Sequence, residues 1–154
     1  MTITEYMKSL KIREQDVVGA GHYGAPRGNR LHKGVDLITM PGELVKSFTL
    51  GEVTKIGYPY DPSDEKRGHL RYVEVSFDGT RFRYFYVQPL VEVGDQVLVG
   101  QSIGLSQNLT EIYPGITPHF HFEVRNSDGF SMNPLDSFPD LGVDDDTTST
   151  VKYT

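Results

Sequence analysis

The sequence predicts a single, mostly β domain preceded by one short helix, and three observations carry that prediction. Runs of Val, Ile, Phe and Tyr recur about every ten residues between Gly and Pro. Asp78-Gly79 sits between two apolar-rich runs, the strongest short-range sign of a hairpin. A helical repeat occurs only near the N-terminus. A length of 154 residues suits one domain with a sizeable core. The absence of cysteine excludes a disulfide framework, a thiolate zinc site and a cysteine nucleophile.

Taken in order, residues 2–11 make the helix. Thr2 and Glu5 have capping-box spacing, and Ile3, Tyr6, Met7 and Leu10 share a face that suits the core or a partner's groove. Residues 1–15 are therefore an N-terminal helix or arm, and 16–139 the β domain. Strands are expected near 44–49, 52–57, 70–77, 81–88, 97–98, 102–105 and 119–125, the clearest hairpin being RYVEVSF–DG–TRFRYFYV. Residues 58–69, YPYDPSDEKRGH, form a long polar loop of the kind that rims a site. From 140 to 154 the chain, DLGVDDDTTSTVKYT, is acidic and too poor in apolar residues to fold alone, so it is a flexible tail or a segment ordered by a partner.

Charge narrows the function classes. Fifteen basic and 21 acidic side chains give a net charge of −6, and Asp140, Asp144, Asp145 and Asp146 fall in the tail. The remaining domain is mildly acidic, which argues against a non-specific grip on nucleic acid. No apolar run approaches the roughly 18 residues of a membrane helix, so no membrane insertion is expected. The start, MTITEYMKSLKIREQD, lacks a signal peptide's apolar stretch, so export by the usual route is not expected. Gly19-Ala20-Gly21-His22 opens like a dinucleotide loop, but no helical pattern follows it.

The chemistry lies with the histidines. His32-Lys33-Gly34-Val35-Asp36 and His119-Phe120-His121 stand out, whereas His22 and His69 suit the surface or a rim. Alternate residues of a strand share a face roughly 7 Å apart, so His119 and His121 look into one space. A natural division gives one imidazole to a metal and leaves the other beside it. His32 and Asp36 would stand roughly 13 Å apart in an extended strand, but Gly34 lets the chain fold there and brings them together. Two His and one carboxylate with an open fourth position describe a catalytic zinc site. The bland alternative is that the paired His are merely packed.

LHKGVDLITMPGELVKSFTLGEVTKIG resembles the first zinc-binding segment of the lysostaphin/LytM-type zinc endopeptidases. VEVGDQVLVGQSIGLSQN and TPHFHFEVRNSDGFSMNPLDSF resemble that family's second half, so the likeness runs from about Gly19 to Phe138. It implies an antiparallel β-sheet or sandwich, like a duplicated hybrid motif, with a groove whose floor holds one Zn2+. It assigns the ligands to His32, Asp36 and His121, with His119 as the catalytic histidine acting on a zinc-activated water. It further implies that the substrate and partner is bacterial peptidoglycan, cut at its peptide cross-links. Tyr84 and Tyr86 are expected to line the groove, and Arg27 and Arg30, just before His32, either to contact substrate there or to rim the loop.

One departure matters. In Tyr84-Phe85-Tyr86-Val87, Tyr86 stands where the family usually has a second catalytic histidine. A tyrosine hydroxyl can donate to an oxyanion, but with an ordinary pKa of about 10 it is a poor base. GAGHYGAPRGNRLHKGVD, FRYFYVQPL and YPGITPHFHFE resemble the vertebrate leukocyte-derived chemotaxins. Those relatives keep the zinc site, lack the second histidine and are regarded as signalling or binding proteins. A second expectation is therefore a catalytically inactive, zinc-binding structural or wall-binding module. Without an export signal, a wall-cutting domain is expected in a phage virion (tail tip or baseplate) or released at lysis. Residues 1–15 or 140–154 would then dock on tail or baseplate proteins; the alternative location is the cytoplasm.

Overall fold

A computed structural model describes residues 1–143, so the acidic tail expected over 140–154 lies outside the described residues from 144 onward. Helix α1 (Ile3–Ser9) carries the capping box: the Thr2 hydroxyl accepts from the Glu5 amide at 3.1 Å, and the Glu5 carboxylate accepts from the Thr2 amide at 3.2 Å. Its Tyr6 and Met7, with Leu10, belong to the main core.

In chain order the strands are β1 (Pro26–Arg27), β2 (Arg30–Leu31), β3 (Val35–Ile38), β4 (Leu44–Lys46), β5 (Gly51–Gly57) and β6 (Tyr72–Phe77). They continue with β7 (Thr80–Phe85), β8 (Val87–Pro89), β9 (Gln96–Val97), β10 (Ser102–Ser106), β11 (His119–Arg125) and β12 (Ser131–Met132), before helix α2 (Pro134–Ser137). The large antiparallel sheet runs β12-β11-β7-β6-β5-β9, and β3 pairs with β11 on the same edge as β12. A second sheet runs β4-β10-β8, and β1 and β2 form a small hairpin.

Strand alternation explains the core. Phe120, Phe122 and Val124 of β11 and Phe82 and Tyr84 of β7 are buried in it, and Phe48 packs against Tyr84, Phe120 and Phe122. The intervening His119, His121 and Glu123 face the opposite way, as period-2 geometry requires. At the hairpin, Asp78 (φ 50°) and Gly79 (φ 81°) both adopt left-handed backbone between paired Phe77 and Thr80, the signature of a type I′ turn.

The strand expected over 81–88 is interrupted. Tyr86 has φ 69°; β7 ends before it in the large sheet, and β8 begins after it in the small one. The short elements β1, β2, β3, β12 and α2 were not among the expected ones. Loop 58–69 is tied by an Asp64–Arg67 ion pair at 2.7 Å and by the Arg67 guanidinium over the Tyr60 ring at 4.5 Å. Among the described residues no helix is long and apolar enough to cross a membrane.

Candidate metal centre

The antiparallel register of β3 against β11 sets Asp36 opposite His121. His32 reaches the same point because Gly34 lies flat against β11. A Cβ there would collide with the Phe122 carbonyl and come within 2.9 Å of the His121 ring. Gly34 therefore acts through close approach rather than a special φ. The result is a convergence of His32 Nε2, Asp36 Oδ1 and His121 Nδ1. The two nitrogens are 3.0 Å apart, and they lie 3.3 and 2.9 Å from the Asp36 oxygen.

The other ring nitrogens are all anchored. His32 Nδ1 donates to the His22 carbonyl at 3.0 Å, and His121 Nε2 donates to Glu123 at 2.8 Å. Glu123 is in turn held by Arg125 at 2.9 Å. These outer contacts leave His32 Nε2 and His121 Nδ1 facing Asp36 Oδ1, the outer-shell pattern of metal-ligating histidines. Three donors within 4.8 Å of one another, two imidazoles and one carboxylate, fit a zinc ion with an open fourth position.

His119 stands beside this trio. Its Nδ1 donates to the Thr117 carbonyl at 2.7 Å, leaving Nε2 unprotonated and 3.5 Å from Asp36 Oδ2. Burial lowers its pKa against the opposing pull of Asp36, so His119 is neutral near pH 7. His121 goes the other way: burial disfavours its charge, but Asp36 and Glu123 win and raise it to about 9. Burial would raise Asp36, yet hydrogen bonds from His121 and His32 hold it well below the usual carboxylate range.

An open cleft of about 390 Å³ gives access to the centre. His32, Asp36, His119, His121, Tyr86, Arg27 and Arg30 all line it. Continued alternation would send Tyr86 into the core behind Tyr84; its left-handed backbone turns it to the cleft instead, with its ring edge-on to His119 at 6.0 Å. Burial, then Tyr60 and Asp36, push its hydroxyl well above the ordinary value, so it stays protonated and keeps a proton to donate.

Tyr84 corrects an expectation. It does not line the groove: it is fully buried on the core face of β7, and its hydroxyl accepts from the Phe48 amide at 2.9 Å. His22 and His69 side chains are exposed, although His22 contributes its carbonyl. Three contributors escaped the sequence reading: Glu123, Thr117 and Arg13. The pattern His119-x-His121-x-Glu123 could have revealed Glu123, because it shares their strand face. Nothing local marks Arg13, whose Nε and Nη2 reach Asp36 Oδ2 at 3.1 and 3.0 Å.

This β-sheet scaffold, with a two-histidine, one-carboxylate centre on its groove floor, is that of a peptidoglycan-endopeptidase-like fold. Residues 30–134 match Peptidase family M23, and the chain belongs to that family. It is similar to leukocyte cell-derived chemotaxin-2 of Bos taurus, at 32% identity over 115 residues covering 75% of this chain and 74% of that protein. In fold it resembles the antimicrobial peptidase lysostaphin from Staphylococcus simulans, with a TM-score of 0.65 and 24% identity over 90% of this chain and 54% of that one. The chain thus spans about half the length of lysostaphin. It also resembles the catalytic domain of the prophage-encoded M23 protein EnpA from Enterococcus faecalis, with a TM-score of 0.57 and 21% identity over 82% and 95% of the two chains.

Proposed function

We propose that the protein is a zinc-dependent endopeptidase that hydrolyses peptide cross-links of bacterial peptidoglycan. The observation that carries this reading is the convergence of His32, Asp36 and His121 beside a neutral His119 in an open cleft. Zinc bound by that trio would polarise the scissile carbonyl and acidify a water molecule. The remaining work belongs to the chain. His119, held by Thr117 through Nδ1, offers Nε2 to take the attacking water's proton and return it to the leaving amine. Tyr86, kept protonated, supplies a hydrogen bond to the oxygen on which charge develops. We further propose a place in a phage virion or at lysis, with tail or baseplate proteins as partners.

A second reading rests on Tyr86 and the chemotaxin likeness: a zinc-bound module that binds rather than cuts. One experiment separates the two. Zinc-loaded protein is incubated with peptidoglycan of several cross-link types, and released peptides are identified by mass spectrometry. Chelated protein, His119→Ala and Tyr86→His run alongside. The endopeptidase reading expects cleavage that is lost in the first two. It also expects Tyr86→His to raise turnover by up to about 100-fold, because it restores a second group able to move protons. Zinc binding without cleavage in the native protein would favour the binding module.

A further inference from the structure

The segment ahead of the M23 match, which begins at residue 30, reaches into the centre. Lys11, Ile12 and Arg13 run alongside β3: the Ile38 amide donates to the Lys11 carbonyl, and the Arg13 amide to the Asp36 carbonyl, both at 2.8 Å. Gly21 makes room, since a Cβ there would lie 2.7 Å from Arg13 Cβ and 2.8 Å from Asp36 Cβ. The Arg13 side chain, 2% exposed, turns back onto Asp36. Its Nε and Nη2 both donate to Oδ2, while Nη1 donates to the Gly19 carbonyl at 2.7 Å and pairs with Asp16 at 2.8 Å.

The two carboxylate oxygens of Asp36 are thus divided. Oδ1 faces His32 and His121, and Oδ2 faces Arg13, with His119 Nε2 and Arg27 more distant at 3.5 and 3.6 Å. Asp16 extends the device. It accepts from the Thr117 amide at 2.8 Å, and the Thr117 carbonyl is the group that holds His119. Arg13 and Asp16 together therefore fix Asp36 and His119 relative to each other. We propose that Arg13 is a positioning residue of the metal centre: by occupying Asp36 Oδ2 it makes Asp36 a one-oxygen ligand and keeps a coordination position free. This rests on the metal-centre reading, not on any particular substrate.

Cobalt(II) tests it without an activity assay, because its visible bands are intense with four ligands and weak with five or six. The wild-type protein loaded with Co2+ is expected to give intense bands. Arg13→Met frees Oδ2 to coordinate as well, and its bands should lose intensity. Arg13→Lys keeps a cation on that oxygen and should recover most of it. Should Arg13→Met fail to fold with Asp36 and the half-buried Asp16 deprived of their shared cation, Arg13→Met/Asp16→Asn removes one of those charges and keeps an acceptor for Thr117. An unchanged spectrum in either Met variant would overturn the proposal. So would equal loss in the Met and Lys variants alongside equal falls in apo-protein melting temperature, which would make Arg13 a strut. No cobalt binding by the wild type would overturn the metal centre itself, whereas bound cobalt without peptide cleavage would leave this proposal standing and remove only the peptidase reading.

Discussion

Tyr84 and Tyr86 sit two positions apart and do unlike work, and the reason is one backbone angle. In an unbroken strand the two side chains would share a face. The φ of 69° at Tyr86 ends that alternation, leaving Tyr84 in the core and Tyr86 at the cleft. Tyr84→Phe therefore tests packing rather than chemistry. It leaves the buried Phe48 amide without its acceptor, and about 1–3 kcal/mol of stability should be lost in denaturant unfolding. Peptide release by the folded variant should be unchanged. The groove expectation for Tyr84 failed because a positive φ at a tyrosine has no sequence signal; Gly, Asn, Asp and His are the residues enriched there. His32, Asp36, His119 and His121 were legible because their chemistry is rare and their spacing matched both a strand face and a known family. Arg13 was not, since 23 residues separate it from Asp36 and only tertiary packing joins them.

Among the elements, the long strands were legible and, β4 and β9 apart, the short ones were not. The strands β5, β6, β7, β10 and β11 carry several apolar positions each, enough for a periodic pattern. β1, β2 and β12 have two residues apiece, and no period can be read from two. β3 is hidden differently: covered by residues 11–13 on one edge and β11 on the other, its Val35, Asp36 and Leu37 are all buried, so alternation disappears. The segment 11–19 that covers it has its own acid sensitivity. Burial would raise the Asp16 carboxyl, but the Thr117 and Val18 amides and Arg13 hold it far below its ordinary 3.8. The unfolded chain thus takes up a proton first as pH falls. The stability contributed by Asp16 is complete above the ordinary value and drains away as pH drops through the lowered one. Asp16→Asn should be less stable than wild type at pH 7 and should converge with it toward pH 2, read from melting temperatures across that range.

On the scale of the whole molecule, the N-terminal helix and the sheet that floors the cleft are parts of one structure. Tyr6, Met7 and Leu10 enter the same core as Phe120 and Phe122, whose neighbours in β11 are the histidines. The main core thus backs the sheet face opposite the candidate metal site, and changes to one should be felt by the other. A ligand that binds only the folded state adds stability by mass action, about 2.7 kcal/mol at a free concentration one hundred times its dissociation constant. Zinc is accordingly expected to raise the melting temperature, and a chelator to reverse the gain. His121→Ala should abolish the zinc response, while Tyr86→Phe should preserve it; a zinc response retained in His121→Ala would place the ion elsewhere.

The left-handed turn at Tyr86 also joins the two sheets, so whatever residue occupies it must satisfy the backbone before it can serve the cleft. Bulky β-branched residues are shut out by that angle, whereas histidine tolerates it. Tyrosine and histidine codons differ by a single first-position base. A lineage carrying this fold can therefore exchange a hydrogen-bond donor for a base at the cleft in one mutational step, with the same joint kept throughout. The position is one where the chemistry facing the cleft can change while the joint between the sheets stays as it is.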